Sequence, residues 1–175
     1  MNTQEQENAT LIANTLYVRT PLGMACIQGN QTAITSIKLV DAIPDTYETD
    51  PSPLNKELLL RAAAELNRYF EGSLQEFTFP MQPQGTTFQQ SVWERLQKIP
   101  FGKSMSYLEL SKDLGDPKAI RAVAAANGKN PIWIAIPCHR IIGSDGSLVG
   151  YAGGLHRKKW LLNHESPHRQ VALFD

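Results

Sequence analysis

The sequence predicts an α/β N-terminal domain followed by a mostly α-helical C-terminal domain that carries a helix-turn-helix. Three observations lead there: short alternating segments between turn signals before residue 40, a single helix-period stripe behind them, and a succession of helix starts and stops beyond the stretch Pro80-Met81-Gln82-Pro83-Gln84. The chain has 175 residues, 42% of them hydrophobic and 19% charged, which is enough for two small domains around real cores. Residues 1–83 are assigned to the first domain with its linker and residues 84–175 to the second.

Residues 1–10 are polar and expected to be loose. Strands are expected near 14–19, 23–28 and 32–39, because apolar residues alternate weakly there around Pro21-Leu22-Gly23 and Gly29-Asn30. Asp41 to Asp50 contains Pro44 and scattered acids without a period, the pattern of a surface loop. In the following helix Ser52 can cap, Pro53 suits the first position, and Leu54, Leu58, Ala62, Leu66 and Phe70 recur every four residues until Gly72.

Past the linker, Thr87 and Gln90 have the spacing of a capping box ahead of Phe88, Val92, Leu96 and Ile99, and Pro100 with Gly102 closes that helix. Ser106 and Glu109 repeat the signal for a short helix through Leu110 and Leu114 that Gly115 breaks. Asp116 and Pro117 then open a helix ending at Asn127-Gly128. On that helix Ile120, Val123 and Ala124 are assigned to the core, leaving Arg121, Ala122, Ala125 and Ala126 outside. Such a face suits packing on another helix, or close approach to a nucleic-acid groove with Arg121 reaching in. The charge distribution favours the groove. The net charge is zero, yet residues 1–83 hold 5 basic and 10 acidic side chains and residues 84–175 hold 12 basic and 7 acidic, so only the second half suits phosphates.

The uncharged stretch from Asn130 to Cys138 is far too short for a bilayer, and the polar N-terminus lacks the form of a secretion signal. Two cysteines, Cys26 and Cys138, are too few for a disulfide framework, and no Cys-x-x-Cys pair suggests zinc. The expectation is a protein of a reducing, cytoplasmic setting without a zinc site.

Ile132, Ile134 and Ile136 alternate with Trp133 and Ala135, which reads as a buried strand delivering Cys138 to a fixed exit behind Pro137. His139 and Arg140 would surround that thiol with positive charge and favour the nucleophilic thiolate. A lone cysteine is more often a small buried hydrophobe, and Cys26, with no charged neighbour in its strand, is assigned to the core on that ground.

The run Ile136-Pro137-Cys138-His139-Arg140-Ile141 resembles the active-site signature of the O6-alkylguanine-DNA alkyltransferases. The resemblance continues in order and spacing through Gly85-Thr86-Thr87-Phe88, Pro100-Phe101-Gly102, Ser106-Tyr107, Arg121-Ala122-Val123, Asn130-Pro131, Gly150-Tyr151-Ala152-Gly153-Gly154 and Lys158-Lys159-Trp160-Leu161-Leu162-Asn163-His164-Glu165. It is weaker at Thr20-Pro21-Leu22-Gly23 and Tyr69-Phe70-Glu71-Gly72, where that family has a ribonuclease H-like α/β domain ahead of a winged-helix-like one.

The resemblance implies irreversible, single-turnover transfer of the alkyl group from a flipped O6-alkylguanine in DNA to Cys138, with O4-alkylthymine a further candidate substrate and no cofactor. It implies catalytic roles for His139 as proton acceptor through a water, Glu165 as its orienter, Tyr107 as donor to the leaving base and Asn130 as the holder of the turn before the active-site segment. Tyr107, Arg121, Cys138, Ile141, Tyr151, Ala152 and Gly153 would bind the substrate, with Arg121 filling the gap in the duplex. Arg121, Ala122, Ala125, Ala126 and Asn127 would face the DNA. The implied partner is double-stranded DNA carrying O6-alkylguanine, bound by a monomer with little sequence preference and no membrane involvement. Ala124 stands where many members of that family have Gly, and Ala152 where some have Ser. The alternative is a non-enzymatic sensor of alkylated DNA, disfavoured because such relatives lack the cysteine. A Cys138–His139 hydrolase dyad is disfavoured because adjacent side chains of a strand point apart.

Overall fold

The computed structural model describes residues 15–43 and 54–167. The expected loose N-terminus, most of the Asp41–Asp50 loop and the Ser52-Pro53 helix start lie outside the described residues. The chain divides into two compact units, residues 1–84 with 131–133, and residues 85–130 with 134–175.

In the first unit, β1 (Thr15–Thr20), β2 (Gly23–Gly29) and β3 (Ile34–Val40) form an antiparallel sheet in that order. The first turn is tied by Thr20, whose hydroxyl donates to the Gly23 carbonyl at 2.7 Å and accepts from the Leu22 amide at 3.1 Å. Strand alternation buries Ala25 and Ile27 in β2, and Ile34, Ile37 and Leu39 in β3. Cys26 falls on the other face of β2, half-buried and hydrogen-bonded to Tyr17, so its assignment to the core is corrected. Two short passes cover the outer edge of β3: Ile34 exchanges bonds with Pro80 and Gln82, and Ile37 with Pro131 and Trp133.

Helix α1 (Lys56–Glu71) buries Leu59, Ala62, Ala63, Leu66 and Tyr69 and ends in a left-handed Gly72, φ 84°. A strict four-residue repeat drifts about 40° per step around a helix. That drift explains why Phe70 is only half-buried while three- and four-residue steps follow the buried stripe; Leu54, 73% exposed, lies before the helix begins.

The second unit contains α2 (Thr87–Leu96), β4 (Met105–Ser106), α3 (Tyr107–Asp113), α4 (Ile120–Gly128), a 3₁₀ turn (Cys138–Arg140), β5 (Ile141–Ile142) and α5 (Leu155–Glu165). The capping box of α2 is Thr86 with Gln89, one residue before the expected pair, and that of α3 is Ser106 with Glu109 as expected. Asp116 does not cap α4; its carboxylate accepts from the Lys118 amide in a turn, and the helix begins at Ile120. Trp93, 1% exposed, joins α2 to α4 by donating from Nε1 to the Ala126 carbonyl at 2.9 Å.

The buried face of α4 is Val123, Ala126 and Asn127, while Ile120 is 38% exposed. The buried face of this helix is therefore turned by roughly 60° from the expected one. Ala126 and Asn127 leave the outer face, which consists of Arg121, Ala122 and Ala125. An Ala-rich helix carries little amphipathic signal, so the partners around it, not the pattern, set its rotation.

The buried strand expected at Ile132 to Ile136 does not form. Ile132 makes a single parallel bridge to Ile37, and Ile134 then adopts φ 73°, rare for a β-branched residue. Such a conformation costs on the order of 1–3 kcal/mol and persists where its surroundings over-determine it. Ile134 is 1% exposed, between the bonds that hold Trp133 to Ile37 and Asn130 to Ile136.

Candidate active site

Cys138 leaves a tight turn centred on Pro137, φ −83° and ψ 63°, in which the Cys138 amide donates to the Ile136 carbonyl at 2.8 Å. That is an inverse γ-turn, suited to a residue whose φ is locked. Asn130 fixes the preceding loop by donating from Nδ2 to the same carbonyl at 2.7 Å, and its side chain also hydrogen-bonds the Cys138 thiol. In the 3₁₀ turn successive side chains diverge by about 120°, so Cys138, His139 and Arg140 point to different surroundings.

His139 and Arg140 both converge on Glu165, at the end of α5. His139 Nε2 lies 2.7 Å from Oε1, and Arg140 donates from Nε to Oε2 at 2.8 Å and from Nη2 to Oε1 at 3.0 Å. Arg140 Nη1 donates to the Ile99 carbonyl at 2.6 Å. All three side chains are buried. A carboxylate at a helix C-terminus meets the negative end of the dipole and needs such partners. Burial works against the charge of Glu165, but hydrogen bonds and the nearby charges of His139 and Arg140 hold its carboxyl far below the ordinary range. With a carboxylate on Nε2, the neutral ring carries its proton there and leaves Nδ1 as an acceptor. Nδ1 is buried without a hydrogen-bond partner among the described residues.

The expected positive field around Cys138 is corrected. Arg140 is spent on Glu165, and burial lowers the pKa of His139 against the raising pull of Glu165, so its ring is neutral at pH 7. Cys138, 4% exposed, is pushed up to about 11 by burial, with Asn130 and Lys158 opposing, and rests as a thiol. Reactivity therefore requires a proton acceptor rather than a standing thiolate.

The same pair makes stability pH-dependent. Both folded pKa values lie below the ordinary 6.5 of His139 and 4.5 of Glu165, so the unfolded chain takes up protons first. Stability is then full above pH ~7 and withdrawn on acidification, through His139 below pH ~6.5 and Glu165 below pH ~4.5. Urea melts should show a lower midpoint at pH ~5 than at pH ~7.5; equal midpoints would contradict the assignment.

Other expected site residues gather in the same unit. Tyr107, opening α3, directs its hydroxyl to the Val149 carbonyl at 3.4 Å. Tyr151 is half-buried, Ala152 exposed, and Gly153 buried with its carbonyl accepting from Arg157 at 3.2 Å. The backbone carbonyls of two expected substrate-binding residues already have partners: Ile141 O accepts from Lys158 Nζ, and Cys138 O from Asn127 Nδ2 at 3.4 Å. Arg121, Ala122 and Ala125 are exposed on α4, whereas Ala126 and Asn127 are buried and no longer stand among residues that face a groove.

Lys158 escaped the sequence reading as a separate residue. It is fully buried, and besides Ile141 it donates to the carbonyls of Val149 at 3.1 Å and Gly150 at 3.3 Å. A signal was present: Lys158, Leu161 and Glu165 recur at helix spacing on the buried side of α5.

An α/β unit in one chain with a helical unit that holds a buried cysteine, backed by a histidine–carboxylate pair, defines a class of cysteine-acceptor proteins. The chain belongs to the 6-O-methylguanine DNA methyltransferase family. The profile of that family's ribonuclease-like domain matches residues 12–83 and that of its DNA binding domain residues 87–167. Among similar proteins are the methylated-DNA–protein-cysteine methyltransferases of Mycolicibacterium paratuberculosis, 41% identical over 89% of this chain and 94% of the relative, and of Methanosarcina barkeri, 41% identical over 85% and 94%. The crystal structure of Mycobacterium tuberculosis OGT in complex with DNA superposes with a TM-score of 0.77 at 38% identity, covering 89% of this chain and 96% of that one. The α/β unit is thus the family's ribonuclease-like domain and the helical unit its DNA-binding domain. No helix among the described residues is long and apolar enough to cross a membrane.

Proposed function

We propose that this protein repairs DNA by transferring the alkyl group of O6-alkylguanine to Cys138, once per molecule. The observation that carries the reading is a buried thiol in one turn with a neutral histidine, whose Nε2 is held by Glu165 and whose Nδ1 is open to accept a proton. In the displacement the Cys138 sulfur forms a bond to the alkyl carbon while the carbon–O6 bond breaks and its electron pair leaves with guanine. The thiol proton passes through a water to His139 Nδ1, and the departing base takes a proton from Tyr107. The product is a thioether and normal guanine.

Helices α3 and α4, joined through Gly115 at φ 91°, read as a helix-turn-helix of the winged-helix kind. Its second helix would enter the minor groove with Arg121, Ala122 and Ala125 outward, and Arg121 would replace the flipped nucleotide in the stack. Binding is then carried mainly by phosphate contacts, with little sequence preference. The protein would act as a monomer in the cytoplasm.

The test is intact-mass and peptide-level mass spectrometry after mixing the protein with a duplex carrying one O6-methylguanine, with Cys138→Ala as control. One added methyl on Cys138 without turnover is expected, and Arg121→Ala should slow reaction with duplex more than with the free alkylated base. Binding without modification would instead make the protein a sensor of damage, and equal slowing on both substrates would remove Arg121 from the flipping step.

A further inference from the structure

Asn127 was expected on the DNA face and is instead buried, 4% exposed, on the side of α4 turned to Cys138. Its amide orientation follows from its neighbours. Nδ2 lies 3.4 Å from the Cys138 carbonyl, which can only accept, so the nitrogen must face that way. The side chain also hydrogen-bonds the Tyr107 hydroxyl. Oδ1 is then left buried without a partner among the described residues. A buried amide that forgoes one bond to keep its N–H groups on two site residues calls for an explanation beyond packing.

We infer that Asn127 is a positioning residue for Tyr107, donating to its phenolic oxygen so that the tyrosine's own proton is directed away from α4 and toward the substrate. An oxygen that already accepts from Asn127 turns its O–H elsewhere, at rest to the Val149 carbonyl, 3.4 Å away. That bond is long, and a departing base can compete for the proton. When Tyr107 gives it up, the Asn127 N–H remains on the oxygen that becomes negative, where a hydrogen bond is stronger than to the neutral phenol. Burial and the nearby Cys138 raise the pKa of Tyr107 while Asn127 lowers it, so Asn127 offsets part of the cost of proton release. This role rests on the alkyltransferase reading.

The test compares single-turnover methyl transfer from an O6-methylguanine duplex in the wild type, Asn127→Leu, Tyr107→Phe and the double variant, with the ring titration of Tyr107 followed by tyrosine-selective carbon NMR. Asn127→Leu should slow transfer about tenfold when Tyr107 is present and less than about twofold in the Tyr107→Phe background, the size of one hydrogen bond to a developing charge. It should also move the Tyr107 titration to higher pH. Equal slowing in both backgrounds, no slowing, or an unmoved titration would overturn the inference. Asn127→Ser carries the same comparisons where the leucine variant does not fold. Failure of the wild type to methylate Cys138 would refute the alkyltransferase reading, while the NMR titration would still decide whether Asn127 governs Tyr107.

Discussion

Glu165→Ala is expected to slow methyl transfer to Cys138 by roughly 10²–10⁴-fold, the usual weight of a positioned acid–base group. It should also cost about 3–5 kcal/mol of stability, because one partner of a buried ion pair is removed and the other left behind. The physical cause is shared. The carboxylate is the acceptor for His139 Nε2 and for two donors of Arg140, all buried. Without it the guanidinium keeps only the Ile99 carbonyl among these partners, and the imidazole loses the contact that selects its tautomer. Glu165→Gln separates the effects. It keeps an oxygen for one donor while removing the charge, so part of the stability should return and most of the rate loss should stay. Urea melts with single-turnover mass spectrometry check both; a loss below about 1 kcal/mol in the Ala variant would show that Arg140 is not held by this carboxylate.

Lys158→Met is the second large effect expected. The methionine keeps much of the apolar stem but removes a buried ammonium that donates to the carbonyls of Ile141, Val149 and Gly150. Val149 and Gly150 are exposed and can turn to water, whereas Ile141 is fully buried and its carbonyl would lose a donor. Relief of the lysine's own desolvation offsets part of that loss, so a destabilisation of about 2–4 kcal/mol is expected. The second consequence is electrostatic. Lys158 lowers the pKa of Cys138, so its removal should push the thiol still further above about 11. The pH profile of iodoacetamide reaction at Cys138, resolved by peptide mass, should therefore move to higher pH in the variant. An unchanged melt with an unchanged profile would leave Lys158 as packing alone.

These expectations depend on residues that differ in how far the sequence exposes them. The sheet of the first unit follows from local rules, since alternation and turn residues place β1, β2 and β3 to within a residue or two of their observed spans. The capping box of α3 and the break at Gly115 are likewise local, because a cap satisfies amides within its own turn. Cys138 and His139 stand out from their own neighbours as well as from a resemblance of ordered motifs, whereas Glu165 came from that resemblance alone; composition would have left it as one more surface charge.

The misreadings have a common origin. Ile132, Ile134 and Ile136 have strand spacing, yet the segment is shaped by separate partners on either side of Ile134, which takes φ 73°. On α4, Val123, Ala126 and Asn127 turn inward because Trp93 and Cys138 offer partners there, and an Ala-rich helix has no strong stripe to oppose them. Arg140 looked like a source of field for Cys138 until its guanidinium was found on Glu165, 25 residues away in sequence.

From the residues alone follow the two-part architecture, the three strands of the first unit and the capping box of α3, because these depend on neighbours within a few positions. The protonation of Cys138, the tautomer of His139, the inward turn of Asn127 and the anchoring of Lys158 follow only from three-dimensional placement. Burial and hydrogen bonding between distant segments set each of them, and no local spacing encodes either.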